Sequence, residues 1–545
     1  MSVSLIPDSA PFNVEQRAWL NGFLAGWLGI PGAATGQAGG EPAVGSAVAA
    51  TLIPPASERS ATPSASEPED TPWHDPALPI GGRMKLAEGK SKASRLMAAM
   101  AQLDCGTCGY LCQSYSEAIA NGSEASLTLC SPGGSETSKM IKKIIKESAS
   151  GNGNGHANGE ASKAAQAPSS KSPEWSRKNP FLAKLVRSVN LNGAASDKAT
   201  HHVEIELGPD GPTYEVGDSL AIIPTNCGDL VGELIAALGS EPSAPVATAS
   251  GAAVSLAEAL DRHCCLSELT EEAIQLLADS ATDPAEAETL RDLIDDDSPI
   301  AGDHILDLLR RFPSARPAPA ALIRSLSELK PRLYSISSSP KRHAGQVHLT
   351  VRKVVYAYND RDRKGVASTM LADRVIADDP VRVYVQKSQG FTIPSDPNAP
   401  AIMVGPGTGI APSRAFLHER DAIKAPGKNW LFFGDQKGET DFLYREELAD
   451  LQARKVLNRL DTAFSRDQKG KIYVQDRILE QGAEVFAWLE SGAYFYVCGD
   501  AKRMAADVDR ALRTVVQAHG SRTEAEATAY VGRLASAGRY RRDVY

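Results

Sequence analysis

Apolar and polar positions change their rhythm along the chain, and the changes mark out its parts. Between residues 13 and 28, Trp19, Leu20, Phe23, Leu24, Trp27 and Leu28 recur at helical spacing. Asn13 is placed to cap that run and Gln16 stands three positions later, so a short amphipathic helix is expected. Such a helix packs on its own core or docks to a partner; without a basic polar face it does not suit a membrane surface. Residues 31–72 are rich in Ala, Gly, Pro and Ser and read as a flexible tether. A compact stretch is expected to resume near Trp73, with one helix over Ala93–Leu103 and a short one over Ser114–Ala120. Residues 148–173 form a second linker, and its Gly151–Gly155 run is low complexity, since no strand precedes it and no helix follows.

Beyond Asn179 the period shortens. His201–Leu207 and Asp218–Pro224 read as antiparallel strands, with the turn-rich Tyr214–Asp218 between them. Residues 228–329 carry Leu and Ala at helical period among acids, and strand alternation returns at Arg332–Ser335 and Thr350–Arg352. Then comes the buried strand Ala401–Val404, followed by further βα units at Trp430–Phe433, Leu460–Phe464 and Tyr494–Asp500, as in a parallel sheet. The predicted fold is multidomain α/β: an α-rich amino-terminal module, an antiparallel β-barrel with a helical insertion, then a Rossmann-like parallel-sheet domain. Boundaries fall at 1–30 for the helix, 31–72, 73–147 for the module, 148–173, 174–395 for the barrel with its insertion at about 228–329, and 396–545.

Composition alters this picture little. Of 545 residues, 42% are hydrophobic and 23% charged, ordinary for a soluble protein. A net charge of −9 argues against a nucleic-acid binder and leaves room for a partner with a basic docking patch. No apolar run is long enough to span a bilayer and no signal peptide is evident, so the expected compartment is the cytoplasm.

Cysteine usage adds chemistry. Cys105, Cys108 and Cys112 sit in one tight loop with Gly106 and Gly109, and Cys130 returns just before Pro132-Gly133-Gly134. Four converging thiolates suit an iron–sulfur cluster or structural zinc; three plus one, with proline beyond the last, favours a [4Fe–4S] cubane. The stretch also resembles the iron–sulfur domain of electron-transport proteins, with one residue's difference in the spacing before Cys112. His263, Cys264 and Cys265 suit packing and receive no role.

On a strand, Arg332 and Tyr334 share one face and Leu333 and Ser335 the other. A fixed cation beside a planar ring suits a ligand with a pyrophosphate and an aromatic system. Downstream, Gly365-Val366-Ala367-Ser368 opens a helix predicted over Thr369–Arg374, whose free amides suit a phosphate. Gly405-Pro-Gly407-Thr408-Gly409 follows a strand and precedes a helix, as in a dinucleotide crevice. Ser465, Arg466, Lys471 and Tyr473 supply the hydroxyl, cations and ring that a ribose 2′-phosphate and its adenine need, where an NAD site more often places an acid.

In this order the motifs resemble the ferredoxin-NADP reductase family, in particular its branch of NADPH sulfite reductase flavoproteins, over Asn179–Tyr545. The resemblance implies FAD held by Arg332, Leu333, Tyr334, Ser335, Thr350, Val351, Arg352 and Tyr356, by Gly365, Val366, Ala367 and Ser368, and by Tyr545, whose ring stacks on the flavin. It implies NADP on Gly407 and Thr408, on Ser465 and Arg466, on Lys471, Ile472, Tyr473, Val474 and Gln475, and near Asp507. It places Ser335, Cys498 and Asp543 around the hydride transfer from NADPH. That branch carries an FMN-binding flavodoxin domain upstream, and residues 1–170 lack its pattern; the cysteine module stands there instead. The implied function is an NADPH-dependent flavoprotein oxidoreductase feeding FAD electrons to the cluster and on to a siroheme-containing sulfite reductase hemoprotein. A nitrate or nitrite reductase partner, or a non-catalytic docking subunit with structural zinc, are the alternatives.

Overall fold

The computed structural model describes residues 73, 78–102, 110, 112–122, 124, 126–130, 132–150, 175–295, 302–388 and 390–545. These fall in one compact unit, Asp70–Tyr545. The helix expected at 13–28, the tether at 31–72 and residues 151–173 lie outside the described residues, as do Cys105 and Cys108.

Before Trp175 the described residues hold four helices and no strand: Ile80–Leu86, Lys92–Ala99, Cys112–Ala120 and Gly134–Ser150. They close over Trp73, Leu96, Met97, Tyr115, Ile141 and Ile144. The helix expected to reach Leu103 stops at Ala99. Met100 is extended, and Gln102 turns into the left-handed region (φ 62°), folding its amide onto the Met97 and Met100 carbonyls. The next helix starts at Cys112, two residues earlier than predicted, so a candidate ligand is its first residue.

The barrel has strands β1 (Phe181–Asn190), β2 (Thr200–Glu206) and β3 (Ser219–Ile223) before the insertion. Within the insertion a small hairpin, β4 (Pro245–Ala247) and β5 (Ala253–Ser255), interrupts what the sequence reads as all helix. After it come β6 (Arg332–Ser335), β7 (Gln346–Arg352), the hairpin β8 (Val355–Tyr358) and β9 (Arg361–Lys364), and β10 (Pro380–Gln386). The six-stranded antiparallel sheet runs β6-β3-β10-β1-β2-β7, and an Ile336–Leu349 bridge joins its two edges into a barrel. Leu185, Val203, Ile205, Leu220, Ile222, Leu349 and Val383 fill the interior, so the alternate residues of these strands, Thr350 and Arg352 among them, face outward.

The last domain is a parallel sheet, β11 (Ala401–Val404), β12 (Asn429–Asp435), β13 (Arg459–Phe464), β14 (Tyr494–Gly499) and β15 (Tyr540–Val544), in the order β13-β12-β11-β14-β15. Helices bury both faces: Ile402, Trp430, Phe432 and Val497 on one, Met403, Leu431, Phe433 and Cys498 on the other. The ligand end of such a sheet is at the carboxyl ends of its strands, beside the point where strand order reverses between β11 and β14.

Polar contacts fix this sheet against the barrel. Arg414 donates to the Ser337 carbonyl (2.7 Å), and Ser339 and Lys341 donate to Glu419 (2.5 Å each). Tyr444 reaches across with its hydroxyl 2.8 Å from Thr350 Oγ1 and 2.9 Å from His202 Nδ1. Burial and the nearby Arg414 charge hold the His202 pKa down at about 4, so its ring stays neutral in this seam.

Candidate active site

A cleft of about 1680 Å³ runs between barrel and parallel sheet. Single-ligand pockets usually span about 300–1,000 Å³, so this one has room for two large ligands side by side. All four residues of β6 line it. Among the described residues Arg332 engages only Nη1, on the Lys330 and Pro331 carbonyls, a geometry that suits a phosphate on the rest of its guanidinium. Arg352 and Lys471 also line the cleft, and neither has an ion-pair partner among the described residues.

Where β6 meets the sheet, three side chains converge. Parallel pairing sets Asp543 opposite Cys498. Asp543 Oδ2 accepts from Ser335 Oγ at 2.7 Å and lies 3.7 Å from Cys498 Sγ. Burial raises the Asp543 pKa, and the Ser335 and Cys498 hydrogen bonds partly offset the rise. Burial, reinforced by the Asp543 charge, pushes the Cys498 thiol well above its ordinary value, so this cysteine stays protonated and is no nucleophile. Tyr545, one residue past β15, donates its amide to the Gly499 carbonyl (3.1 Å) and sets its hydroxyl 3.0 Å from Thr408 Oγ1. Tyr545 lines the cleft beside the trio.

The glycine loop owes its shape to close approach. A Cβ on Gly409 would stand 2.2 Å from the Cys498 carbonyl oxygen, and one on Gly405 would stand 2.4 Å from the Gly409 carbonyl. Among the described residues a Cβ on Gly407 (φ 55°) would meet only Asp435 Oδ2, at 3.9 Å, so space is open there of the kind a dinucleotide phosphate needs. Gly407 and Thr408 line the cleft, as do Ser465, Arg466 and Lys471, and Tyr473, Val474, Gln475 and Asp507. Ser465 and Arg466 are placed by their amides, which donate to the Asp435 and Gln436 carbonyls at 2.9 and 2.8 Å.

Other predicted contacts stand elsewhere. Val351 points into the barrel core, so only its backbone is left for a ligand. Tyr356 is 51% exposed on the β8–β9 hairpin, and Ile472 packs against the sheet's core. Gly365 precedes a helix that begins at Val366, not Thr369, and becomes a π-helix over Met370–Arg374. A Cβ on Gly365 would stand 2.6 Å from Ser368 Oγ and 2.9 Å from Val354 Cβ, and Ser368 accepts from the Val354 amide. Glycine is needed there by the chain's own packing, and Gly365, Val366, Ala367 and Ser368 lie off the cleft lining.

Cys112 and Cys130 are both buried in the amino-terminal module. Tyr115 holds the approach to Cys130, donating to the Ser126 carbonyl (2.8 Å) and accepting from the Leu129 amide (3.1 Å). Gly133 lets Thr137 close in, since a Cβ there would stand 2.1 Å from Thr137 Oγ1 and 3.0 Å from Cys130 Sγ. This module touches the cleft. Gln102 and Pro132 line it, and Lys330 Nζ donates to the Thr128 carbonyl at 3.3 Å, two residues before Cys130 on one side and two before Arg332 on the other.

Sequence reading missed Lys198 and Arg503, which also line the cleft. Arg503 follows β14 at its carboxyl end, where the strand-end rule for parallel sheets would have found it. Lys198 comes from the β1–β2 loop, distant in sequence and without a local signal.

Comparison with known proteins agrees with this layout. Residues 173–370 match the FAD binding domain and residues 403–510 the oxidoreductase NAD-binding domain. The sulfite reductase [NADPH] flavoprotein alpha-component of Bacillus subtilis is 41% identical over 395 residues, which cover 70% of this chain and 64% of that protein. Those of Vibrio cholerae and Escherichia coli are 44% and 43% identical over 68% of this chain, and 60% and 62% of their own lengths. The chain therefore spans a little over three fifths of the relatives it matches. Its carboxy-terminal part is an FAD-binding domain joined to an oxidoreductase NAD-binding domain, similar to the flavoprotein alpha-component of NADPH sulfite reductase.

Proposed function

We propose that the chain is an NADPH-dependent FAD oxidoreductase that passes electrons through a [4Fe–4S] cluster to a redox partner, by similarity a siroheme-containing sulfite reductase hemoprotein in the cytoplasm. The observation that carries this reading is the Ser335–Asp543–Cys498 trio under Tyr545, at the junction of the two matched domains. Bound FAD would supply hydride acceptance and single-electron release, which side chains cannot. Arg332 and Arg352 would meet its phosphates, β6 and Thr350 its ring system. Ser335 and Asp543 would fix the nicotinamide carbon against the flavin, and Cys498 would fill the wall behind them. Cys105, Cys108, Cys112 and Cys130 would hold the cluster; burial of Cys112 and Cys130 in one core fits that role. The contact of Thr128, two residues before Cys130, with Lys330, two residues before β6, supports a direct route from flavin to cluster, with no FMN between. No described helix is long and apolar enough to cross a membrane.

Arg466→Ala should weaken NADPH binding about tenfold and leave NADH nearly unaffected, because the guanidinium would meet only the 2′-phosphate. The low end of the range for a charge-assisted contact applies, since Arg466 is half-exposed and already faces Asp197. Steady-state kinetics with both cofactors test it; equal losses would move Arg466 away from that phosphate.

Tyr545→Ala should help NADH more than NADPH, by up to about tenfold, and slow NADP⁺ release as nicotinamide settles where the ring stood. Flavin absorbance on adding NADP⁺ reads this directly. An unchanged spectrum with an unchanged cofactor ratio would leave Tyr545 a surface tail.

A further inference from the structure

The β1–β2 loop of the barrel is latched to the nucleotide-binding domain on both sides of one acidic residue. Asn192 Nδ2 donates to Asp441 Oδ1 at 3.0 Å, the Gly193 amide to the Thr440 carbonyl at 2.8 Å, and Ser196 Oγ also to Asp441. On the far side Lys198 pairs with the buried Asp435. Between these anchors Asp197 is carried to the cations of the other domain: its Oδ2 lies 3.2 Å from Arg466 Nη1 and 3.8 Å from Lys437 Nζ. Among the described residues it is the only carboxylate paired with either cation. Asp435 is occupied by Lys198, and Asp467 accepts from the Gly438 amide at 3.0 Å.

We propose that Asp197 is a resident counter-ion for the 2′-phosphate site: it neutralises Arg466 and Lys437 in the empty protein, and the cofactor's 2′-phosphate must displace it. The inference rests on assigning Arg466 and its neighbours to that phosphate. Chemistry favours the exchange, because a phosphate monoester brings nearly two charges and three acceptor oxygens against one carboxylate. A cofactor lacking the 2′-phosphate leaves Asp197 in place, so Arg466 is never stranded without a partner. Asp197 thus sets how strongly the site discriminates: it lowers the gain from the 2′-phosphate while keeping the empty cations paired. It also ties the phosphate site to the barrel, since the loop that carries it begins and ends on barrel strands.

The test is calorimetric binding of 2′,5′-ADP and 5′-ADP to the full chain, its Asp197→Asn variant and its Asp197→Glu variant, at low and high salt. For the asparagine variant we expect 2′,5′-ADP to bind about two- to fivefold more tightly than to the parent, the size of an exposed ion pair, with 5′-ADP unchanged. The gain should shrink at high salt, and the glutamate variant should match the parent. If the parent discriminates between the two ligands but Asp197→Asn tightens neither, the counter-ion role is overturned while the phosphate site stands. If the parent does not discriminate at all, the phosphate site itself falls, and this inference with it.

Discussion

An Asp543→Ala protein should accept hydride from NADPH about a hundredfold more slowly than its parent. The carboxylate is the shared partner of Ser335 Oγ, at 2.7 Å, and of Cys498 Sγ, at 3.7 Å. Without it the Ser335 hydroxyl on β6 and the Cys498 thiol on β14 lose the group that relates them. Misplacing reacting atoms by about 1 Å costs on the order of 10²-fold, and hydride transfer depends on such alignment. Asp543→Asn keeps an acceptor for Ser335 and should fall between parent and alanine variant. In the proposed reading the adenine end of the cofactor meets Arg466 and Tyr473, away from this trio, so 2′,5′-ADP affinity should not move. Stopped-flow bleaching of the flavin under anaerobic conditions reads the rate. A rate equal to the parent's would remove the trio from the reaction.

Gly409→Ala should cost about 3 kcal/mol of stability in the nucleotide-binding domain and abolish most NADP⁺ affinity. The added methyl would meet the Cys498 carbonyl oxygen at 2.2 Å, its carbon at 2.9 Å and Gly499 Cα at 3.4 Å. All three are backbone atoms on β14, a strand paired on both sides, and cannot turn aside as a side chain would. Overpacking of this kind costs typically about 1–3 kcal/mol, and a backbone-to-backbone clash belongs at the top of that range. Relief by shifting the loop would carry Gly407 and Thr408 away from the cleft. Thermal unfolding and NADP⁺ titration measure the two losses. A variant as stable as the parent would mean the loop relaxes freely and that its glycines are not required by packing.

The parts of this protein that the sequence announced are those with an unmistakable period. The runs at Ala401–Val404, Trp430–Phe433 and Tyr494–Val497 are strands because both sheet faces are buried, which forces continuous apolar stretches, whereas Leu460–Phe464 lies on the edge strand β13 and admits Asp461 and Thr462. Strand β1 was not picked out, since its pairing shifts between Leu185 and Arg187 and the bulge breaks the alternation. The β8–β9 hairpin was missed for a different reason: its turn puts Asn359 and Asp360 both in the left-handed region, without the usual glycine. Strand β15 is Tyr-Arg-Arg-Asp-Val, too polar to read as a strand, yet as the sheet's edge it delivers Asp543 to Cys498.

Site residues followed the same division. Ser335, Thr408, Arg466 and Tyr545 sit in motifs whose order along the chain is informative, and the structure brings them to one cleft. Gly365 was read as an opening for a ligand, whereas Ser368 and Val354 fill the space beside it. Asp197 and Lys198 had no local signal, because their partners Arg466 and Asp435 lie more than two hundred positions away.

The proposed electron path runs from NADPH through FAD to a cluster on Cys105, Cys108, Cys112 and Cys130. The most direct test is low-temperature EPR of the anaerobically purified full chain, before and after adding NADPH, with metal and released flavin determined on the same sample. The expected result is FAD without FMN, iron and sulfide in the amount of one [4Fe–4S] cluster, and a cluster signal that appears only once NADPH has reduced the flavin. Zinc in place of iron, or a flavin that NADPH reduces while the cluster signal never appears, would contradict it.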